Sequence, residues 1–326
     1  MLNLENSKSE QLNEADISLH PTYKQESELS ALLYDHKEAF GSVKEPLGEI
    51  VGHEVYILLN IERPYPPLLR RPEYPESPKS REALEIHIKE RLDLGVLRKV
   101  GHKEGVEITT PVIVVWNNGK YRMVGDFRAL NTYSVPDRYP RTRIQIPLTQ
   151  SSQEVYIRIM DSLEGFNQNV ITPRARKYLS IIVNSVVYEY SRIPCGIKNA
   201  PSNFQRMMNE VFPEELSEGL LIIHIYDISV CSNTWEEHIY RLSRVLNKIQ
   251  SVKIKISLKK FHFGFKELKA LGNLVSCLCP GIDKTKVAAV LLKPMPQDKK
   301  ESQFFLGFAG YYSQHIKDFA SIERSL

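Results

Sequence analysis

Hydrophobic and polar positions alternate along Leu220-Leu-Ile-Ile-His-Ile-Tyr-Asp-Ile-Ser-Val-Cys-Ser232, which predicts two short apolar strands meeting at the polar pair Tyr226-Asp227. With period two, Ile222, His224 and Tyr226 share one face, Ile223, Ile225 and Asp227 the other, and Val230 and Ser232 belong to the return strand. Taken alone, this is an ordinary buried hairpin that carries a carboxylate at its tip.

Upstream, the chain from Met1 to about Ser27 is polar and without period, and is expected to be flexible. Leu29, Leu32, Leu33 and Phe40 form a partial helical stripe, and His53 to Asn60 alternates toward a strand. Arg63-Pro-Tyr-Pro-Pro-Leu-Leu-Arg-Arg-Pro72 is a proline-rich extended arm, since proline neither continues a helix nor donates to a ladder. A helix is predicted from Pro78 to Leu94, capped by Ser77, with Leu84, Ile88 and Leu92 as its inner stripe and Gly95 as its stop. Strands follow at Pro111–Trp116 and Arg122–Asp126 around an Asn117-Asn118-Gly119 turn, and Asp137-Arg-Tyr-Pro-Arg breaks the pattern.

Val155 to Asp161 is a strand ending in a carboxylate, and Ser162 to Phe166 is a turn. Leu179–Val183 and Val186–Tyr190 form a hairpin around Asn184-Ser185, and Pro201 opens a helix with Phe204, Met207, Met208, Val211 and Phe212 on its apolar face. Beyond the opening hairpin, Thr234 and Glu237 make a capping box for a helix that buries Ile239, Leu242, Leu246 and Ile249. Lys253 to Lys260 alternates as a strand with one basic face, Leu271 to Ser276 is a short strand, and Ser302 to Phe319 is an aromatic-rich helical segment. That last segment carries Phe304, Phe305, Phe308, Tyr311 and Tyr312, and no internal repeat is evident.

Composition narrows the class without naming a function. With 326 residues, 42% hydrophobic and 25% charged, the chain has material for a substantial core and two or three subdomains. No apolar run approaches the roughly 18 residues of a membrane span, and the N-terminus lacks the apolar stretch of a signal peptide. An intracellular protein is expected, cytoplasmic or nuclear. The four cysteines, Cys195, Cys231, Cys277 and Cys279, are too scattered for a disulfide framework or a zinc site and read as reduced thiols. A net charge of +4 permits an anionic partner without arguing for one.

The element order is that of a polymerase palm: a strand ending in Asp161, a hairpin, a helix, the hairpin tipped by Tyr226-Asp227, a helix, a basic strand. Two strand-borne carboxylates on one sheet are what two-metal phosphoryl transfer requires, because hard oxygen ligands must hold the divalent ions. Local motifs sharpen the match. Tyr121-Arg-Met-Val-Gly-Asp-Phe-Arg-Ala-Leu-Asn131, Asp137-Arg-Tyr-Pro140, Asp161 with Gly165-Phe166, Gly196-Ile-Lys-Asn-Ala-Pro201 with Phe204-Gln205, Leu271-Gly272 and Phe305-Leu-Gly-Phe-Ala-Gly-Tyr-Tyr312 occur in order.

From about His53 onward the chain resembles the reverse transcriptase region of a gypsy-type LTR retrotransposon polyprotein, in the version common in fungi. The resemblance implies an α+β right-hand polymerase fold with an antiparallel palm sheet and packed helices. It divides the chain into a flexible segment and short helix (1–52), arm and fingers (53–150), palm with the remaining fingers hairpin (151–250), and the end of the palm with the start of thumb or connection (251–326). It also implies an RNA-directed DNA polymerase with two Mg²⁺ or Mn²⁺ ions when active, an RNA or DNA template-primer, and deoxynucleotide triphosphates. The protease, RNase H and integrase of such polyproteins have no counterpart here.

Carried over residue by residue, Asp161 looks like the first metal ligand and Arg122 like the fingers arginine on the incoming triphosphate. Phe166 looks like the steric gate against a ribose 2′-OH, and Glu164 and Gly165 line the same nucleotide pocket. The family's lysine before the Arg122 strand is missing, since Val115 to Asn118 occupy that stretch and Lys120 is the available substitute. Cys195 stands where the family has phenylalanine.

The largest departure lies in the opening hairpin, where the family's Tyr-X-Asp-Asp aligns with His224-Ile225-Tyr226-Asp227. Tyr226 replaces a carboxylate that binds the metals, and a phenol with an ordinary pKa of about 10 is a poor Mg²⁺ ligand at neutral pH. Strand alternation sends Asp227 to the opposite face from Tyr226, so only a tight turn or a bulge would bring it to the metals as a second ligand. The expectation is a decayed reverse transcriptase with activity lost or reduced, of order a thousandfold or more. The alternatives are a working polymerase using a rearranged Asp227, and a non-enzymatic nucleic-acid-binding protein that keeps the template cleft through Arg122, Arg128, Lys253, Lys255, Lys259 and Lys260.

Overall fold

The computed structural model describes residues 17–18, 22–43, 45–101, 103–117, 120–140, 156–265, 267–270, 273–276, 281–282, 292, 295–310, 313, 316 and 318–324. The described residues begin with strand β1 (Ile17–Ser18) and helix α1 (Tyr23–Asp35), which Thr22 and Gln25 open with a reciprocal capping box. Leu29, Leu32 and Leu33 form its buried face, as their spacing predicts. Of the alternating stretch from His53 to Asn60, only β2 (Glu54–Val55) forms a strand, and Leu59 adds an isolated bridge to Ser134. Helix α2 (Pro78–Asp93) starts at Ser77, whose hydroxyl accepts the Ser80 N–H at 3.1 Å, and Gly95 follows it at φ +65°. Its inner face is Ala83, Leu84 and Ile88; the expected Leu92 is 37% exposed in the last turn.

Two five-stranded sheets carry the molecule. The outer one is built from β3 (Leu97–Lys99), β4 (Thr110–Asn117), β5 (Lys120–Gly125) and, after helix α3 (Arg128–Tyr133), the later hairpin. β4 and β5 pair as far as Asn117 opposite Lys120, while Asn118 and Gly119 of the expected turn lie outside the described residues. β6 (Tyr156–Asp161) belongs to the other sheet, and β7 (Val170–Ile171) pairs with β2 ahead of the short helix α4 (Pro173–Arg176). The predicted hairpin is β8 (Ser180–Val183) with β9 (Val186–Tyr190), turning at Asn184 and Ser185, both with positive φ; it completes the outer sheet in the order β3-β9-β8-β4-β5.

Helices α5 (Ala200–Val211) and α6 (Pro213–Ser217) then lead into β10 (Leu221–His224) and β11 (Asp227–Ser232), followed by α7 (Trp235–Ser251) and β12 (His262–Phe265). The central sheet runs β1-β12-β6-β11-β10, so β6 lies between β11 and β12 although the chain reaches those strands much later. α5 packs against β10 with Phe204, Met207, Met208 and Val211 buried, and α7 packs on β11 with Leu242, Val245, Leu246 and Ile249 fully covered. Ile239, expected in that stripe, is only partly buried. The described remainder is a small sheet, β13 (Glu267–Ala270), β14 (Asn273–Ser276) and β15 (Gly281–Ile282), with helices α8 (Lys299–Gly310) and α9 (Phe319–Arg324). Leu271, Gly272, Cys277, Cys279, Tyr311 and Tyr312 lie outside the described residues.

The basic strand expected at Lys253 to Lys260 does not form. Ile254 and Ile256 are fully buried, and the segment ends in a 3₁₀ turn at Leu258–Lys260. Lys255 turns inward, donating from Nζ to the Glu38 carbonyl at 2.7 Å and pairing with Glu45 at 3.0 Å. Lys253 sits at φ +58° just past α7, so the lysines splay in different directions instead of tracking along one face. Among the described residues no helix is long and apolar enough to cross a membrane.

Candidate active site

The antiparallel register of β6 and β11 places Asp227 directly opposite Asp161. Opposed residues on adjacent antiparallel strands project from the same face, with Cβ atoms about 5 Å apart. The two predicted carboxylates are therefore neighbours, although strand alternation alone had put Asp227 on the opposite face from Tyr226. The correction comes from the turn. His224 pairs with Asp227, so Ile225 and Tyr226 are the two central residues of a tight hairpin and Tyr226 is not a strand residue at all.

That turn is strained and braced. Ile225 has φ +54°, a region that a β-branched residue enters at a cost of about 1–2 kcal/mol. Its N–H donates to Gln205 Oε1 at 2.9 Å, and Gln205 Nε2 donates to the Ile223 carbonyl at 3.4 Å and to Asn209 Oδ1 at 3.0 Å. Gln205 is completely buried on α5, which makes it the brace of the turn. On the other side, Ser162 N–H donates to the Tyr226 carbonyl at 3.1 Å and Ser257 N–H to the Asp161 carbonyl at 2.9 Å, tying the turn and the end of β6 together.

The Tyr226 ring joins an aromatic cluster. Its centroid lies 4.7 Å from Phe166 and 5.5 Å from Phe204, and those two rings are 6.0 Å apart. Gly165 is the floor: a Cβ there would come within 2.7 Å of Tyr226 Cδ1 and 3.1 Å of the Phe204 ring. Burial, reinforced by the Cys195 thiol and Asp161, pushes the Tyr226 phenol well above its ordinary pKa, so it stays neutral at physiological pH. The Asp227 carboxyl is also pushed up, first by burial and then by the like charge of Asp161, against the lowering influence of His224 and Lys260. Lys260 Nζ sits 3.2 Å and 3.3 Å from the two oxygens of Asp161.

The donor set fits a divalent cation in part. Asp161 and Asp227 are hard oxygen donors on one face, whereas the neutral, ring-packed Tyr226 adds no anionic ligand. Among the described residues no three or more His, Cys, Asp or Glu side chains gather in a metal-binding group.

Beside the carboxylates, Phe166 is buried, and Glu164 adopts a left-handed conformation at φ 46°, ψ 47°. The Glu164 carboxylate is taken up by the Arg91 fork of α2, with Nη2 donating to Oε1 at 3.1 Å and Nη1 to Oε2, and by Asn167 Nδ2 at 2.7 Å. Burial works against its charge, but Arg91 more than offsets it and holds the pKa below the usual carboxylate value. Arg122 is exposed on β5 opposite Val115. It shares an electrostatic neighbourhood with Cys195, whose thiol is raised by the atoms packed round it and by Glu164, and lowered by Arg91 and Arg122.

Other predicted basic contacts are engaged within the protein. Arg128 grips Asp126 through Nε at 2.6 Å and Nη2 at 2.8 Å, in a buried knot that also receives Arg71 at 2.8 Å and the Tyr74 hydroxyl at 2.5 Å. These donors, Arg128 first, hold Asp126 far below the ordinary carboxylate pKa despite burial. Sequence reasoning passed over Arg91 and the Lys260–Asp161 contact. A partner 73 positions away leaves no local signal at Arg91, and Lys260 was read as one member of a basic strand.

Comparison with known proteins agrees with this architecture. The chain matches the reverse transcriptase (RNA-dependent DNA polymerase) family over residues 102–309. It is 30% identical over 259 residues to the retrovirus-related Pol polyprotein from transposon opus of Drosophila melanogaster, covering 78% of this chain and 25% of that one. To the gypsy transposon Pol polyprotein of the same organism it is 31% identical over 211 residues, 65% of this chain and 20% of the relative. The enzymatic polyprotein of cauliflower mosaic virus (strain D/H) is 30% identical over 261 residues, 77% and 37% of the two chains. The chain thus spans about a quarter of the transposon polyproteins and somewhat more of the viral one.

Among solved structures, the foamy viral protease-reverse transcriptase in complex with double-stranded DNA superposes with a TM-score of 0.81 at 21% identity, over 99% of this chain and 65% of that one. Its complex with an RNA/DNA hybrid gives 0.77 at 20% identity, over 100% and 43%. The fold is the right-hand polymerase fold. By motif order and family match, the chain belongs to the reverse transcriptase (RNA-dependent DNA polymerase) family, in its retrotransposon branch.

Proposed function

We propose that this chain is the polymerase region of a decayed retrotransposon reverse transcriptase, with nucleotide addition lost or strongly reduced. The observation that carries this reading is Tyr226: its neutral ring is packed against Phe166, Phe204 and Gly165, where the family places a metal-binding carboxylate. Divalent-metal dependence is general in this family. Mg²⁺ or Mn²⁺, two ions when active, would be held by Asp161 and Asp227 and would activate the primer hydroxyl and stabilise the leaving pyrophosphate.

This chain's own residues supply the rest of the reading. Arg122, exposed on the hairpin of β4 and β5, offers a planar fork to triphosphate oxygens. Phe166, fixed by Phe204 and Tyr226, bars a ribose 2′-OH, and Gly165 brings backbone to the sugar, while Glu164 shapes the pocket through its backbone because its carboxylate is bound to Arg91. An RNA or DNA template-primer and deoxynucleotide triphosphates are the partners, in a cytoplasmic or nuclear setting. The division into arm and fingers, palm, and thumb or connection near residues 53, 151 and 251 belongs to the same reading. The Asp161–Asp227 register supports residual activity over none, because one divalent ion still finds two carboxylates.

A primer-extension assay on a primed RNA template with Mg²⁺ or Mn²⁺ tests the proposal. Weak or absent extension is expected, and robust extension at the level of an intact reverse transcriptase overturns it. The alternative of a non-enzymatic nucleic-acid-binding protein draws on the exposed Arg122 and Lys253, but Lys255, Lys260 and Arg128 are held by Glu45, Asp161 and Asp126. Salt-dependent binding to a primed duplex without extension would favour it.

A further inference from the structure

We propose that Lys260 is a built-in counter-ion of the carboxylate pair, and that a divalent cation loads onto Asp161 only by displacing it. The inference rests on the reading of Asp161 and Asp227 as the metal-binding pair. The Lys260 ammonium stands almost equidistant from both oxygens of Asp161, at 3.2 Å and 3.3 Å, so it already occupies the charged edge of the carboxylate that a divalent cation would have to approach. Two carboxylates face each other across the ladder, and Tyr226 brings no further negative charge, so this one cation offsets half of the local anionic charge.

The contact is built by the backbone around it. Ser257 N–H donates to the Asp161 carbonyl at 2.9 Å, fixing the start of the Leu258–Lys260 turn beside the end of β6. Phe261, the next residue, is completely buried and meets Phe40 edge to face at 5.6 Å, fixing the other end. Lys260 is therefore delivered to Asp161 from a short turn pinned on both sides. Its side chain is nevertheless 61% exposed, so it has solvent to swing into when a divalent ion arrives, and an ammonium beside that ion would be repelled. The trade lowers metal affinity and stabilises the metal-free protein, two effects that a passive surface lysine would not have together.

The test is Mn²⁺ binding to the purified chain, followed by the electron paramagnetic resonance signal of free Mn²⁺, with circular dichroism confirming that each variant is folded. Lys260→Met should bind Mn²⁺ about fivefold more tightly than the unaltered chain, as expected for removal of one partly exposed competing charge, and high salt should shrink the ratio. Lys260→Arg should stay near the unaltered chain, and Asp161→Asn should lose the site. The metal-free Lys260→Met protein should also melt below the unaltered chain and gain more from added Mn²⁺. Equal, measurable affinity for the unaltered chain and Lys260→Met would overturn the role of Lys260 alone. No saturable Mn²⁺ binding by either would overturn the metal-site reading and this inference with it.

Discussion

Asp161, the last residue of β6, and Asp227, the first of β11, are cross-strand partners on one face of the central sheet. That pairing sets the chemistry available to this chain. A like-charge pair at the end of a ladder is destabilising unless a cation neutralises it, and burial raises the cost of charging Asp227 further. The same register excludes Tyr226 from the ladder and turns its ring toward Phe166 and Phe204.

Tyr226→Asp should therefore add a third carboxylate beside Asp161 and Asp227 and raise Mg²⁺-dependent primer extension, while removing the ring from its aromatic pocket. The stability cost is expected to be about 2 kcal/mol, for loss of a partly buried ring that touches two others. Tyr226→Phe should melt close to the unaltered chain and show no gain in extension. Extension assays and thermal denaturation of the two variants separate the roles of charge and packing.

Gln205→Ala should destabilise the protein by about 1–3 kcal/mol, because it leaves the Ile225 N–H and the Ile223 carbonyl without the amide that satisfies them in a buried place. Since Ile225 is held at φ +54°, the damage should centre on the hairpin. Hydrogen exchange at residues 223–228 should then speed up more than exchange in α7.

Arg91 and Glu164 join α2 to the turn after β6, and their pairing makes stability depend on pH. The folded pKa of Glu164 lies below its unfolded value of about 4.3, so the unfolded chain takes up the proton more readily. The contribution is complete above the unfolded pKa and is lost as pH falls through the folded one. Denaturation midpoints of the unaltered chain and Glu164→Gln should differ at neutral pH and converge in acid. The Glu164 side chain is 39% exposed, so solvent screening limits the neutral-pH difference to about 1 kcal/mol or less.

Cys195 is accessible at the surface, but protein atoms packed round its sulfur raise its thiol, whereas Cys231 is buried. Iodoacetamide should label Cys195 slowly at neutral pH, faster as pH rises, and leave Cys231 untouched until the protein unfolds. Arg122→Ala removes a neighbouring positive charge that lowers the thiol, so labelling at a given pH should slow. Mass spectrometry of the peptides that carry Cys195 and Cys231 against pH measures both effects.

Local rules carried much of the fold. The Ser77 cap and Gly95 stop delimit α2, the Thr234 capping position opens α7, and the hairpin at Asn184-Ser185 lies where the apolar runs are interrupted, whereas the second hairpin turns at Ile225-Tyr226, one residue ahead of the Tyr226-Asp227 tip that the polar pair suggests. The motif order from Tyr121 to the Tyr226-Asp227 tip placed the chain in its family, because those residues keep their types and order through the sequence. Failures came where a local period met a distant constraint. Lys253 to Lys260 has a strand period, yet Ile254 and Ile256 are drawn into the core and Lys255 is claimed by Glu38 and Glu45 far upstream.

By itself, then, the sequence determined most of the elements and the family, which depend on residue type and near neighbours. Only the tertiary structure decided that Asp227 opposes Asp161, that Tyr226 turns into the Phe166–Phe204 pocket, that Arg91 takes Glu164, and that Lys260 reaches Asp161. Those pairings follow from sheet register and from contacts between residues far apart in the chain. A one-residue change of register reverses which face a side chain occupies, and no local period records the register.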